Sequence, residues 1–409
     1  MNDYLLCHSV LEQVYRQGAY SNAALGQALD QAENKAWLTR MVYGVLSREI
    51  ECDYYIDALC TRKPRPAIRT LLQMGIYQLR HMDGVPTYAA VHSCVQACAQ
   101  MGKPALKGFV NAVLQSYLRK IPALPQDPVQ ALSVTASVPL WLARRLVKEY
   151  GLERATQFLT APICTDEHVR HNSRRCTAQE MERMLSEKQS VRPSSQGGWY
   201  VQNTPYVRQL FDQGMLTVQS ETSLQCCRVL DPQSNERILD ACAAPGGKAV
   251  YCSEHAASVT ACELHPHRVQ LIRAYAHRMG AENLQAECRD MTQFYAEWKG
   301  QFDAVLCDVP CSGIGVRNKK PELLRTLRPE DIESLHQVQS AILETCAQYV
   351  ADGGRLVYAT CTILRRENTE VVQAFLSRHP EWRCTYSEQI LPDGSGRDGF
   401  FIVRLEKTV

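Results

Sequence analysis

Apolar positions recur at i, i+3, i+4 and i+7 through LLCHSVLEQVYRQ (5–17) and KAWLTRMVYGVLSREIECDYYIDAL (35–59). That spacing places one face of an α-helix against a core. Pro64 and Pro66 break the pattern, and PAIRTLLQMGIYQLRHM (66–82), TYAAVHSCVQACAQM (87–101) and KPALKGFVNAVLQSYLRK (103–120) resume it. Residues 1–125 are therefore expected to form a compact bundle of about five short helices. The proline-rich IPALPQDP (121–128) reads as a linker. In 126–230, SVPLWLARRLVKEYG suggests a helix and 161–201 a small α+β subdomain.

From residue 231 the rhythm changes. ERILDACA, SVTACEL, LQAECRDM, FDAVLCDV and GRLVYATC are short β-branched runs, mostly separated by helical stretches such as PHRVQLIRAYAHRMG and PEDIESLHQVQSAILETCAQYVADGG. This alternation predicts an α/β domain over 231–409: a doubly wound, mostly parallel, Rossmann-like sheet. Gly353–Gly354 would stop the last long helix. GFFIVRLEK is expected as an added edge strand.

Composition narrows the function little. The chain has 409 residues and a net charge of +2. Residues 1–125 carry 13 Lys+Arg against 9 Asp+Glu, whereas 231–409 carry 20 against 24. A mildly basic front permits contact with nucleic acid without requiring it. The opening MNDYLLCHSV lacks the basic start and apolar run of a secretory leader, and no stretch approaches a membrane span. The 18 cysteines are then expected to be reduced, in a cytoplasmic protein. No CxxC occurs and Cys94/Cys98 has helical spacing, so no metal is expected and most thiols read as small core residues.

The candidate chemistry sits at strand ends, where ligands bind in open α/β sheets. Cys311 lies in DVPCSGIG (308–315) and Cys361 in LVYATCTI (356–363), each after a strand-like run. Two thiols and the carboxylate of Asp308 at one crevice suit covalent attack on an electron-poor ring. The turn Cys242, Ala243, Ala244, Pro245, Gly246, Gly247, Lys248 joins the first of these strands to a helix, with backbone N–H groups open to a ligand. It is neither a P-loop nor GxGxxG. Glu263 ends the next strand, placed to accept from a ribose diol, and Asp290 ends the third, where it could meet an adenine or cap a helix. An adenosine-bearing cofactor without a triphosphate cradle fits this set. S-adenosyl-L-methionine fits it better than ATP or NAD.

DVPCSG with ATC (359–361) resembles the paired-cysteine signature of RNA cytosine-C5 methyltransferases, and ACAAPGGK resembles their cofactor loop. TVQSETS (217–223) is similar to their VQ-x-x-S element, with Ser220 where an acid or amide is often found. LTRMVYGVLSRE, MGIYQLRHM and LKGFVNAVL resemble NusB-type RNA-binding domains. Together these features resemble the RsmB (Sun/Fmu) family of 16S ribosomal RNA methyltransferases over nearly the whole chain. Val309 stands where Ala is commoner, Thr362 where Ser is usual, and Arg365–Arg366 near a more typical Pro.

The resemblance implies methylation of cytosine carbon 5, at position 967 in conventional 16S numbering. The substrate would be the RNA or a small-subunit assembly intermediate, the methyl donor S-adenosyl-L-methionine, and the enzyme a monomer. It implies that Cys361 attacks carbon 6, that Asp308 holds the ring's N3 edge, and that Cys311 helps remove the carbon-5 proton. Spacing alone does not say which thiol attacks. Lys248 could approach the base or a carboxylate, and Arg268 the cofactor or merely solvent. Gln219 and Ser223 could line the pocket. Arg317, Lys319 and Lys320 would contact RNA phosphates or form a solvated face. A transfer RNA methyltransferase, a DNA cytosine methyltransferase and a non-catalytic NusB-like RNA-binding factor are the alternatives. The bundle's alternative role is a protein–protein platform.

Overall fold

The computed structural model describes residues 2–408 and divides into two compact units. Among the described residues, unit 1 comprises 2–160 with 317–326, and unit 2 comprises 161–316 with 327–408. The boundary expected at 125 falls inside unit 1. The helices Pro128–Thr135, Leu140–Tyr150 and Leu152–Leu159 belong with the N-terminal bundle rather than with a middle subdomain.

Residues 3–119 hold seven α-helices where about five were expected. The long pattern over 35–59 divides at Arg48 into Lys35–Ser47 and Glu49–Leu59. Pro66–His81 is the central helix, burying Ile68, Leu71, Leu72, Met74 and Ile76. At one end of this core the buried Glu51 carboxylate receives Arg80 at 2.6 Å and His81 at 2.9 Å. A buried charge is tolerable when paired and hydrogen-bonded in this way.

Unit 2 contains two sheets. The smaller comprises β1 (Glu167–His171), β2 (Arg192–Pro193), β3 (Trp199–Val201) and β4 (Leu216–Val218), antiparallel in the order β2-β3-β1-β4. With the helices Ala178–Ser186 and Pro205–Asp212 it forms the expected small α+β element. The larger sheet contains β5 (Arg237–Asp240), β6 (Ser258–Glu263), β7 (Leu284–Cys288), β8 (Phe302–Asp308), β9 (Val350–Thr360), β10 (Trp382–Ile390) and β11 (Phe400–Lys407). Its order is β10-β11-β9-β8-β5-β6-β7. The five strands from β9 to β7 are parallel and the last two antiparallel. Helices pack on both faces, so the central strands read as continuous apolar runs.

Two details differ from the expectation. GFFIVRLEK is not the edge: β11 lies between β9 and β10, and β10 forms the edge. β10 (WRCTYSEQI) is mostly solvent-facing, so its composition carries little strand signal. Gly353–Gly354 does not end a helix. The helix stops at Ala347, and both glycines lie in an irregular stretch of β9, where the register against β8 shifts.

All 18 cysteines are free thiols and most are buried. Among the described residues no helix is long and apolar enough to cross a membrane. No group of three or more His, Cys, Asp or Glu there could hold a metal ion.

Candidate active site

The carboxyl ends of β5, β6, β8 and β9 converge in unit 2. After Asp240 the chain turns away from β5, pinned by Ala241 N–H to Leu306 O (2.8 Å) and Ala243 N–H to Cys262 O (2.8 Å). Gly246 has φ 118°, a conformation that favours glycine, and precedes the helix Gly247–His255. That helix has no side-chain cap, so its first N–H groups are donors available to a ligand.

Lys248, in the first turn, donates to Asp308 Oδ2 at 2.5 Å. Of the two roles expected for Lys248, the structure shows contact with a site carboxylate. Burial opposes its ammonium, but Asp308 together with the neighbouring Cys226 and Cys227 outweighs burial and the pKa is raised. Asp240 is 1% exposed and no side chain among the described residues hydrogen-bonds its carboxylate oxygens, whose polar neighbour is the Cys242 backbone. Burial pushes its carboxyl up to about 7, with Lys248 opposing and Asp308 reinforcing the shift.

Glu263 is buried at the end of β6, accepting from His265 N–H at 3.0 Å and pairing with Arg268 at 3.0 Å. Arg268 also reaches Ala244 O at 3.3 Å, so it ties Glu263 to the glycine-rich turn. A carboxylate has about four lone-pair sites, which leaves Glu263 capacity for a diol. Asp290 Oδ1 accepts from the Thr292 N–H (3.0 Å) and hydroxyl (2.7 Å), a local turn. Gln219 follows β4, with its carbonyl on Arg170 (2.7 Å) and its amide towards Ser223 (3.5 Å). Ser220 caps the next helix by accepting from Ser223 N–H, which explains a hydroxyl at that position. An uncapped helix start, an orphaned buried carboxylate and an accepting Glu263 fit a cationic, ribose-bearing cofactor.

The two thiols meet. β8 and β9 are parallel neighbours, with Asp308 opposite Ala359. Just beyond, Cys311 Sγ and Cys361 Sγ stand 3.2 Å apart, both partly exposed. The hydrogen bond with Cys361, then burial, pushes the Cys311 thiol well up, and negative Glu367 adds to this. Gly315 N–H donates to Cys361 O at 3.0 Å and Gly399 N–H to Gly315 O at 2.9 Å, locking the Cys311 loop beside the end of β9.

Sequence reasoning did not single out Asp240 or Glu367. Asp240 sits inside an apolar strand, where a polar residue is itself a signal. Glu367 lies in the charged run RREN, where burial cannot be read. The expectation for Arg317 needs correction. Its guanidinium donates inside unit 1 to Ala136 O (3.1 Å) and Leu159 O, and burial lowers its pKa to about 10. It is a structural cation rather than a displayed phosphate ligand. Lys319 and Lys320 are exposed in the same segment.

Comparison with known proteins agrees with this geometry. Residues 227–406 match the family model described as 16S rRNA methyltransferase RsmB/F, and 5–119 match the NusB family. A probable ribosomal RNA small subunit methyltransferase B from Bacillus subtilis is 34% identical, covering 95% of both chains. A ribosomal RNA small subunit methyltransferase B from Proteus mirabilis is 32% identical over 92% of this chain and 91% of its own. The solved structure of PH0851 has a TM-score of 0.82 at 23% identity, covering 100% of this chain and 99% of that one. A methyltransferase homolog from Pyrococcus horikoshii has a TM-score of 0.60 at 22% identity, covering 69% of this chain and all of its own. These two structures share the fold.

Proposed function

Because the chain belongs to the 16S rRNA methyltransferase RsmB/F family and carries a NusB-family front, we propose that it methylates cytosine carbon 5 in 16S ribosomal RNA through a covalent Cys361 adduct. S-adenosyl-L-methionine, when bound, supplies the electrophilic methyl group. The glycine-rich turn (242–248), Glu263 with Arg268, and Asp290 would hold it.

The observation that carries the reading is the 3.2 Å separation of two sulfurs beside the Asp308–Lys248 pair. Carbon 5 of cytosine is a poor nucleophile, and addition of Cys361 Sγ to carbon 6 makes it enamine-like. One hard step becomes two easier ones. The Cys361 thiol gives up its proton to solvent before the addition, Asp308 holds the N3 edge and shares a proton with it as charge develops there, and Lys248 orients Asp308. After carbon 5 takes the methyl group and the donor's sulfur leaves as a neutral thioether, the carbon-5 proton passes to Cys311 as its thiolate, the thiol proton having first been lost to solvent base. The carbon 6–sulfur bond then breaks and Cys361 is restored.

The target base must leave its stack to meet the sulfur, so it is single-stranded or flipped. Unit 1 supplies RNA affinity, and the enzyme works in the cytoplasm with the RNA or an assembling small subunit.

The test is methyl transfer from labelled S-adenosyl-L-methionine to 16S RNA by wild type, Cys361→Ala and Cys311→Ala, each also run on a denaturing gel. Label on carbon 5 is expected to vanish with Cys361→Ala, and an RNA–protein adduct to persist with Cys311→Ala. Transfer surviving in Cys361→Ala would make Cys311 the nucleophile. Label on transfer RNA alone would move the substrate, and no transfer by wild type would overturn the activity.

A further inference from the structure

The two cysteine loops share a buried carboxylate that contacts neither sulfur. Glu367 is 0% exposed and ends the short turn of helix Arg365–Glu367 after β9. Its Oε1 accepts from Ser312 N–H at 2.8 Å and from the Gln339 amide at 3.1 Å. Its Oε2 accepts from the Ser312 hydroxyl at 2.6 Å and the Thr362 hydroxyl at 3.0 Å. Ser312 follows Cys311 and Thr362 follows Cys361, so one carboxylate grips the residue next to each thiol. The Ser312 and Thr362 hydroxyls are also within 2.9 Å of each other. Gln339 extends the grip by donating to Pro310 O at 3.0 Å. The main chain that carries it is also anchored, since the Tyr358 hydroxyl donates to the Glu367 backbone carbonyl at 2.6 Å. Next to it, the Asn368 amide donates to Thr362 O at 3.1 Å and to Gln389 at 2.7 Å.

We propose that Glu367 is a positioning residue: through Ser312 and Thr362 it sets the distance and alignment of Cys311 and Cys361. The inference rests on the two-thiol reading above. Four donors converging on one buried carboxylate are a costly arrangement unless every hydrogen bond is made. Made in full, they give a rigid link between the loops beyond the Gly315 contact and the Ser312–Thr362 hydroxyl contact. A misplacement of about 1 Å at a reacting centre can cost about 10²-fold in rate, which is the scale of the effect a loosened clamp would have.

Charge and geometry can be separated. In Glu367→Gln a carbonyl oxygen can keep the Ser312 N–H and Gln339 bonds. The amide nitrogen can donate to the two hydroxyls, which rotate to accept. The grip persists without the charge. Glu367→Ala removes both.

The test uses the full chain and a readout independent of methyl transfer, the rate at which Cys311 and Cys361 close to a disulfide with diamide. Two thiols lose two protons and two electrons to the N=N bond, giving the hydrazine and one S–S bond, located by peptide mass spectrometry. Glu367→Ala is expected to slow closure, and to cut methyl transfer by about 10²-fold without weakening cofactor binding. Glu367→Gln is expected to recover most of the closure rate. A folded Glu367→Ala that closes as fast as wild type would overturn the proposal, as would Glu367→Gln behaving like Ala. If Glu367→Ala shows no cooperative melt, Thr362→Val decides, since it removes only the hydroxyl on the Cys361 side. Slower closure at wild-type melting temperature supports the clamp, and wild-type closure sinks it. A wild type that closes readily but transfers no methyl would refute the two-thiol reading, while the closure rates still report on Glu367.

Discussion

At the scale of single residues, the site places three charged groups close together with too few partners. Asp240 is the one with no side-chain partner: burial pushes its carboxyl up to about 7, against the Lys248 field and with that of Asp308. Its folded pKa is raised above the unfolded 3.8, so the folded state binds the proton more tightly. Folding stability therefore declines as pH rises from about 4 to about 7, and is constant beyond. Asp240→Asn removes that dependence. Relative to wild type it should gain stability between pH 4 and pH 8, by a ceiling of about 4 kcal/mol at about 1.4 kcal/mol per pKa unit. Denaturant unfolding at both pH values measures it, and a difference independent of pH would show that Asp240 stays ionised. The position of Cys311, Cys361, Asp308 and the 242–248 turn at strand ends was legible in the sequence, because each follows or ends an apolar run. The states of Asp240 and Glu367 were not, because burial and convergent donors come from residues far along the chain.

At the scale of elements, the parallel pairing of β8 with β9 turns two distant motifs into one pair of sulfurs. The Gly315 contact maintains it. A Cβ there would lie 2.0 Å from Gly399 O and 2.9 Å from Cys361 O, backbone atoms with little room to move. Gly315→Ala should therefore push the two loops apart, lowering stability by about 1–3 kcal/mol and methyl transfer by about 10²-fold. A thermal melt and a transfer assay test both, and wild-type values in each would mean that the loops tolerate the shift. The alternation of strands and helices in 231–409 predicted this sheet. The place of β11 and the existence of β10 were hidden, because an edge strand facing solvent has no apolar period to read.

At the scale of the whole molecule, charge divides along the chain, and residues 1–125 have an excess of four cations. Arg62, Lys63 and Arg65 are exposed in one short loop of unit 1. If unit 1 grips RNA phosphates, replacing all three by Gln should reduce the slope of log affinity against log salt. The reduction should be about 0.7–0.9 for each phosphate that is no longer neutralised. RNA titrations of the full-length variant at several salt concentrations measure it, and an unchanged slope would place the RNA elsewhere. The sequence by itself determined the helical front and the parallel sheet, and it placed the candidate thiols and the glycine-rich turn at strand ends. These follow from periodicity and from short motifs, which act locally. Only the tertiary structure decided that Arg317 serves the interior of unit 1, that helices to residue 159 belong with the front, and that Glu367 joins the two cysteine loops. Each of these depends on burial and on partners brought together from separate parts of the chain, which no local pattern encodes.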